Sequence, residues 1–163
     1  MRPLFLSLLF ALAGCANAQR YDLQEQDLVT YEYVERGTMA QPNHDIRVAI
    51  SHDSTAFIIR LFNNPNYLFY KTDYSLMQEI NLLIQAHKMH KYKDYYKPPF
   101  DVLDGTTWHF SAQYKSGKYL SSHGHEVWPK DDGLQLINQK VRDHIKGLKP
   151  YKTVTYTYDI EEE

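Results

Sequence analysis

The segment FIIRLFNNPNYLFYKTDYSLMQEINLLIQAH, residues 57–87, changes its hydrophobic period once, at Asp73, and that change decides the fold class. Phe57 to Phe62 is apolar on both faces except at Arg60, the pattern of a strand inside a sheet. Asn63-Asn64-Pro65-Asn66 is a turn sequence, and Tyr67 to Thr72 returns beside the first strand. Leu76, Ile80, Leu83, Ile84 and His87 then fall on one helical face, with Asp73 or Ser75 as the N-cap. This helix is expected to fade near Lys91. Pro98-Pro99 forbids its continuation, because neither nitrogen donates and each ring fixes φ.

Working outward, Val29 to Arg36 alternates, with Val29, Tyr31 and Tyr33 on one side and Thr30 and Glu32 on the other. Gly37 to Asp45 reads as a loop, Ile46 to Ile50 as a second strand, and His52-Asp53-Ser54-Thr55 as a polar turn. Downstream, Trp108, Phe110, Ala112 and Tyr114 alternate, Ser116-Gly117 turns the chain, and Lys118 to Ser122 returns. Leu134, Ile137, Val141, Ile145 and Leu148 mark a second helix, stopped by Gly147 and Pro150. Val154, Tyr156, Tyr158 and Ile160 alternate in a last strand before the acidic end Glu161-Glu162-Glu163. The expected fold is α+β: a largely antiparallel sheet of about six to seven strands with two amphipathic helices packed on one face. The other face would carry threonines, lysines and some tyrosines. Strand-turn-strand-helix occurs twice, either by internal duplication or because such units recur independently.

The 163 residues suit one domain, and 43% hydrophobic content is enough for a packed core. A formal charge of −2 gives no global attraction to nucleic acid. The single cysteine rules out an intrachain disulfide framework. Tyrosine is abundant at 14 copies, several of them in the alternating stretches.

Residues 1–18 read differently from the rest. Arg2 gives a minimal positive region, and Leu4 to Ala13 is an uncharged apolar stretch of signal-peptide length. It falls short of the roughly 20 apolar residues a bilayer span needs. Leu12-Ala13-Gly14-Cys15 resembles the lipobox of bacterial lipoproteins, in which small residues precede an obligatory cysteine. The resemblance covers the first 15 or so residues. It implies a diacylglycerol thioether on Cys15, cleavage before it and acylation of the new amino terminus. Two or more acyl chains hold a protein at a bilayer where one does so only marginally. Ala16 rather than aspartate follows the cysteine, which in that family implies transfer to the outer membrane of a Gram-negative cell. The division expected is 1–14 signal peptide, 15–28 lipidated N-terminus and tether, and 29–163 one α+β domain. Ala16-Asn17-Ala18 is also an A-x-A cleavage site, which would release a soluble protein beginning at Gln19.

Four histidines attract attention. His87 and His90 lie on neighbouring turns of the first helix, while His123 and His125 flank Gly124. Brought together they would hold zinc or copper; apart, His87 packs on the apolar face and His90 complements the helix end. Ser51-His52-Asp53-Ser54 and Ser121-Ser122-His123 suggest hydrolase chemistry, but adjacent strand residues point to opposite faces and no G-x-S-x-G elbow is present. Asp131 and Asp132 read as stabilising the start of the second helix, and Asp101 and Asp104 as flanking turns. No phosphate-binding glycine loop or dinucleotide fingerprint occurs, and no cofactor is expected. Lys88, Lys91, Lys93 and Lys97 interleave with Tyr92, Tyr95, Tyr96 and Phe100, a pattern that grips anionic or sugar-bearing polymers by charge and ring stacking. The bland alternative is a loop whose rings pack on the sheet while its lysines stay in water. The function expected is a non-enzymatic envelope module that binds a membrane through Cys15 and an envelope protein or anionic glycan through its surface. A periplasmic metal-binding protein and an envelope hydrolase stand behind it.

Overall fold

The structure, a computed structural model, describes residues 20–37, 43–63, 65–102 and 104–155. The apolar stretch expected to be a signal peptide, Cys15, the alternative cleavage site expected at residues 16–18 and the alternation beyond Thr155 lie outside the described residues. Eight strands and two helices follow one another as β1 (Leu28–Arg36), β2 (His44–Ile50), β3 (Phe57–Asn63), β4 (Asn66–Thr72), α1 (Tyr74–Ala86), β5 (Tyr95–Tyr96), β6 (Thr107–Tyr114), β7 (Tyr119–His125), α2 (Gly133–His144) and β8 (Lys152–Thr155). They form one sheet in the order β5-β7-β6-β1-β2-β3-β4-β8, antiparallel except where β5 meets β7. The α+β architecture is the one expected. The additional strand, β5, is two residues long, too short to show an alternation.

The topology grows from the β1–β2 hairpin at the centre. β3 and β4 extend it on one side, and the 63–66 turn sets their register, placing Phe62 opposite Tyr67 and Arg60 opposite Phe69. After α1 the chain passes to the opposite edge. β6 then inserts beside β1, β7 folds back against it, and after α2 the chain pairs with β4 as β8. β3, with its apolar character on both faces, is an interior strand, but β1 and β2 hold the middle of the sheet.

Both helices cover the same face. Asp73 caps α1 by accepting from the Ser75 N–H at 2.9 Å, and Leu76, Met77, Ile80 and Ile84 face the sheet. In α2 the buried positions are Leu134, Ile137 and Val141, and Gly147, with φ of +83°, lets the chain leave. An exposed ion pair between Lys140 and Glu79 at 2.8 Å links the helices.

Beneath them Tyr31, Phe57, Ile59 and Phe110 are fully buried. A register break between Leu28 and Thr30 puts Leu28, rather than Val29, in this core. The β1 tyrosines therefore face the helices, and protein groups take their hydroxyls: Tyr31 donates to Asn138 at 2.9 Å and Tyr33 to Glu35 at 2.5 Å. Burial pushes both phenols well above their ordinary pKa.

Residues 20–28, expected as part of a tether, lie on the domain. The Tyr21 N–H donates to the Ser54 carbonyl at 2.8 Å, and its ring sits 5.6 Å from Phe57 and 5.9 Å from Tyr74. Among the described residues no helix is long and apolar enough to cross a membrane.

Candidate functional site

The face of the sheet turned away from the helices has no layer over it among the described residues. Side chains directly opposite on paired strands share a face. One row across this face therefore reads Ser111, Glu32, Arg47, Arg60, Phe69 and Lys152, from β6 to β8. Beside it lie Val34 opposite Asp45 and Phe62 opposite Tyr67 opposite Val154; on the other side Ala49, Ile58 and Lys71 line up.

Charge organises this surface. Arg60 places Nη2 2.9 Å from Asp45 and 3.2 Å from Glu32, and Arg36 reaches Asp45 at 3.7 Å. Asp45 is almost fully buried, so these contacts, with the Tyr67 hydroxyl at 3.3 Å, supply the stabilisation that water cannot. Burial and then the Asp45 charge raise the Tyr67 phenol in return.

Among the described residues, both carboxylates on this face are thereby matched to arginines. Five cations (Arg36, Arg47, Arg60, Lys71 and Lys152) stand against those two acids, an excess of three among the described residues. Arg47, Lys71 and Lys152 have no carboxylate partner among the described residues. Aromatic rings accompany the charges: Arg60 lies 5.2 Å from the centre of Tyr67, Lys152 5.3 Å from Phe69, and Lys71 5.4 Å from Tyr151. The β2–β3–β4–β8 half of the open face is thus a basic and aromatic patch, assembled from residues far apart in sequence.

The other half is polar and histidine-rich. His109 stands opposite His123, with His125 two residues further along β7. They line a shallow recess of about 480 Å³ together with Val34, Arg36 and Tyr95. The His123 ring stacks on Tyr95 at 4.7 Å, and the His109 Nε2 lies 3.2 Å from the Ser121 hydroxyl.

A comparison with protein-family models finds no match to the chain, and a comparison with curated proteins finds none. The chemistry of its surfaces therefore carries the functional argument.

The four histidines singled out in the sequence are not brought together. His87 closes α1 on the helix side, its Nδ1 3.5 Å from both Asp131 and Asp132. His90 lines a separate recess of about 550 Å³ with Ile84, Tyr114 and Lys118. His123 and His125 point the other way, on the open face. Among the described residues no group of three or more His, Cys, Asp or Glu is arranged to hold a metal ion. Gly124 between the latter pair is a packing position: a Cβ there would lie 2.4 Å from Trp108 Nε1 and 2.6 Å from the Val127 carbonyl oxygen.

The Lys88–Phe100 stretch divides in two. Tyr92 donates to Asp131 at 2.5 Å and meets Tyr96 and Phe110 edge-on, while Tyr96 packs on Trp108. Burial and the Asp131 carboxylate hold the Tyr92 phenol well above its usual range. Two of its four aromatic rings thus belong to the packing against the core. Tyr95 and Phe100 are exposed, as are Lys88, Lys91, Lys93 and Lys97. Asp131 also accepts from the Gly133 N–H at 3.0 Å, the helix-start role expected for it; Asp132, the N-cap residue of α2, makes no side-chain capping bond.

The Ser51–Thr55 segment is a hydrogen-bonded turn. Asp53 accepts from the Ser51 hydroxyl at 2.6 Å and the Thr55 hydroxyl at 2.8 Å, which lowers its carboxyl to about 2.

Sequence reading did not single out Arg47, Arg60, Lys71 and Lys152 as a group. The 63–66 turn carries part of the signal, since it aligns Arg60 with Phe69. The pairing of β8 with β4 brings Lys152 to the row and is not encoded in any local pattern.

Proposed function

We propose that this chain is a lipid-anchored binding module of the bacterial cell envelope, which holds a partner on the open face of its sheet and performs no chemistry on it. The observation that carries the binding role is the composition of that face. An antiparallel sheet commonly leaves one side to water, and such a side is ordinarily a mixture of short polar and balanced charged residues. Here, among the described residues, it carries an excess of three cations with three rings beside them. Matched acids would be the cheaper arrangement for a surface that only meets water, because like charges on neighbouring strands repel. Arg47 directly opposite Arg60 is such a pair.

The anchor rests on Leu12-Ala13-Gly14-Cys15 and its resemblance to the lipobox; Ala16 after it favours the outer membrane. Acyl chains on Cys15 would keep the domain beside a bilayer, where even weak contacts of the open face act at high effective concentration.

In-cell labelling tests the proposal, because Cys15 is the only native cysteine and carries lipid in this reading. Val154→Cys and Ser121→Cys place a thiol on the open face, and Gln78→Cys and Gln139→Cys place one on the helices; all four positions are exposed. A small water-soluble maleimide should label the helix positions in intact envelopes and leave the open-face positions protected, with all four reacting after extraction and purification. Equal labelling of both sets in the envelope overturns the binding face. A mature amino-terminal peptide that begins at Gln19 without acyl groups overturns the anchor.

A further inference from the structure

We infer that the partner held by the β2–β3–β4–β8 half of the open face is an acidic polysaccharide, a glycan strand bearing carboxylates that lies across the sheet. The inference rests on the reading of the open face as the binding surface and adds the chemistry of what it binds.

Charge complementarity comes first. Arg47, Lys71 and Lys152 lack carboxylate partners among the described residues, and they stand on β2, β4 and β8. The span from β2 to β8 is three strand spacings, about 14 Å. Separated, outward cations of this kind match a chain with anionic groups at intervals better than a single compact anion, which calls for converging donors. Glu32 and Asp45 are already engaged by Arg60, so they do not repel the ligand at full strength.

The rings decide between kinds of polyanion. Phe62, Tyr67 and Phe69 are partly exposed on this face, with the Phe62 and Tyr67 rings 5.0 Å apart and inclined at 53° to each other. Partly exposed rings beside cations give apolar surface to the C–H groups of sugars, while the cations take the carboxylates. A face that enters a bilayer surface needs apolar side chains projecting about 5–10 Å into the headgroup boundary. An acidic peptide would more readily add as a strand at an edge, through main-chain bonds, than lie over side chains. The patch sits on the face.

Full-length protein in detergent, titrated with fluorescent oligogalacturonate and with neutral dextran of equal length, provides the test. Oligogalacturonate should bind and weaken as salt rises from about 0.05 to 0.3 M, as screened contacts do; dextran should not bind. The triple variant Arg47→Ser, Lys71→Ser, Lys152→Ser should lose about tenfold or more in affinity, the combined effect of three surface charge contacts. Its thermal midpoint should stay within a few degrees, because none of the three residues pairs with an acid among the described residues and their ring contacts are weak and exposed. Unaltered binding by the triple variant, or equal binding of dextran, overturns the inference. So does binding through these residues to phosphatidylglycerol vesicles but not to oligogalacturonate, which would assign the patch to lipid headgroups. The outcomes separate the two claims. Protection of the open-face cysteines in the envelope, with no oligogalacturonate binding, removes the glycan and leaves the binding face; failure of both removes both.

Discussion

Two regions of this molecule combine lysine or arginine with aromatic rings, and they use the combination differently. In the Lys88–Phe100 stretch the residues are neighbours in sequence, yet Tyr92 and Tyr96 are directed inward against Phe110 and Trp108 while the lysines remain in water. In the sheet patch the residues come from four strands, and the cations lie over rings that still face outward. Proximity in sequence is therefore a poor guide to a shared surface. On strands, the partners that meet are those set opposite by register.

The contrast can be broken by removing one ring from each region. Tyr92→Ala should cost about 3 kcal/mol of stability, since it removes packing against Phe110 and the bond to Asp131 together. Phe69→Ala, at a partly exposed position, should cost about 1 kcal/mol, and urea denaturation compares the two. Similar losses would erase the distinction. Next in size is Arg60→Met, expected to cost about 2 kcal/mol. Asp45 would remain buried, with only Arg36 and the Tyr67 hydroxyl in support among the described residues, and the partial exposure of Arg60 keeps the loss below that of a fully buried pair.

The stretch whose rings pack inward should not need its lysines for binding. Lys88→Ser, Lys91→Ser, Lys93→Ser and Lys97→Ser together should leave oligogalacturonate affinity within about twofold and stability within about 0.5 kcal/mol per site. A tenfold loss would transfer the binding role to this stretch.

The smallest effect concerns the turn that joins β2 to β3 and so sets Arg47 against Arg60. Asp53 has its carboxyl lowered from 3.8 to about 2, first by the Ser51 hydroxyl and then by Thr55. A depressed folded-state pKa contributes stability that is complete above the unfolded value and disappears as pH falls toward the folded one. Asp53→Asn should therefore flatten the acid limb of stability between about pH 4 and pH 2, measured by thermal melts across that range.

Much of the fold was legible in the sequence, for reasons that can be located. The change of period at Asp73 marks where sheet gives way to helix, and Asp73 caps that helix. The 63–66 turn fixes the β3–β4 register, and the alternation of Trp108, Phe110, Ala112 and Tyr114 lines the core of β6. What escaped depends on tertiary packing. The register break at the start of β1 exchanges Leu28 for Val29, and the Tyr21 ring turns the expected tether into part of the domain. β5 needs β7 beside it to be a strand at all. The site was less legible still. His123 and His125 were visible as a pair, but their separation from His87 and His90 by the thickness of the sheet was not, because β7, with Leu120, Ser122 and Gly124 on one side and Tyr119, Ser121, His123 and His125 on the other, has no apolar row to mark the face the helices cover.

The most direct measurement is a two-dimensional amide NMR titration of the isotope-labelled full-length protein in detergent with oligogalacturonate. Saturable shifts centred on Arg47, Arg60, Phe69, Lys71 and Lys152 are expected, with residues 88–97 unmoved. Shifts centred on residues 88–97, or none on the open face at saturating oligogalacturonate, would contradict this placement.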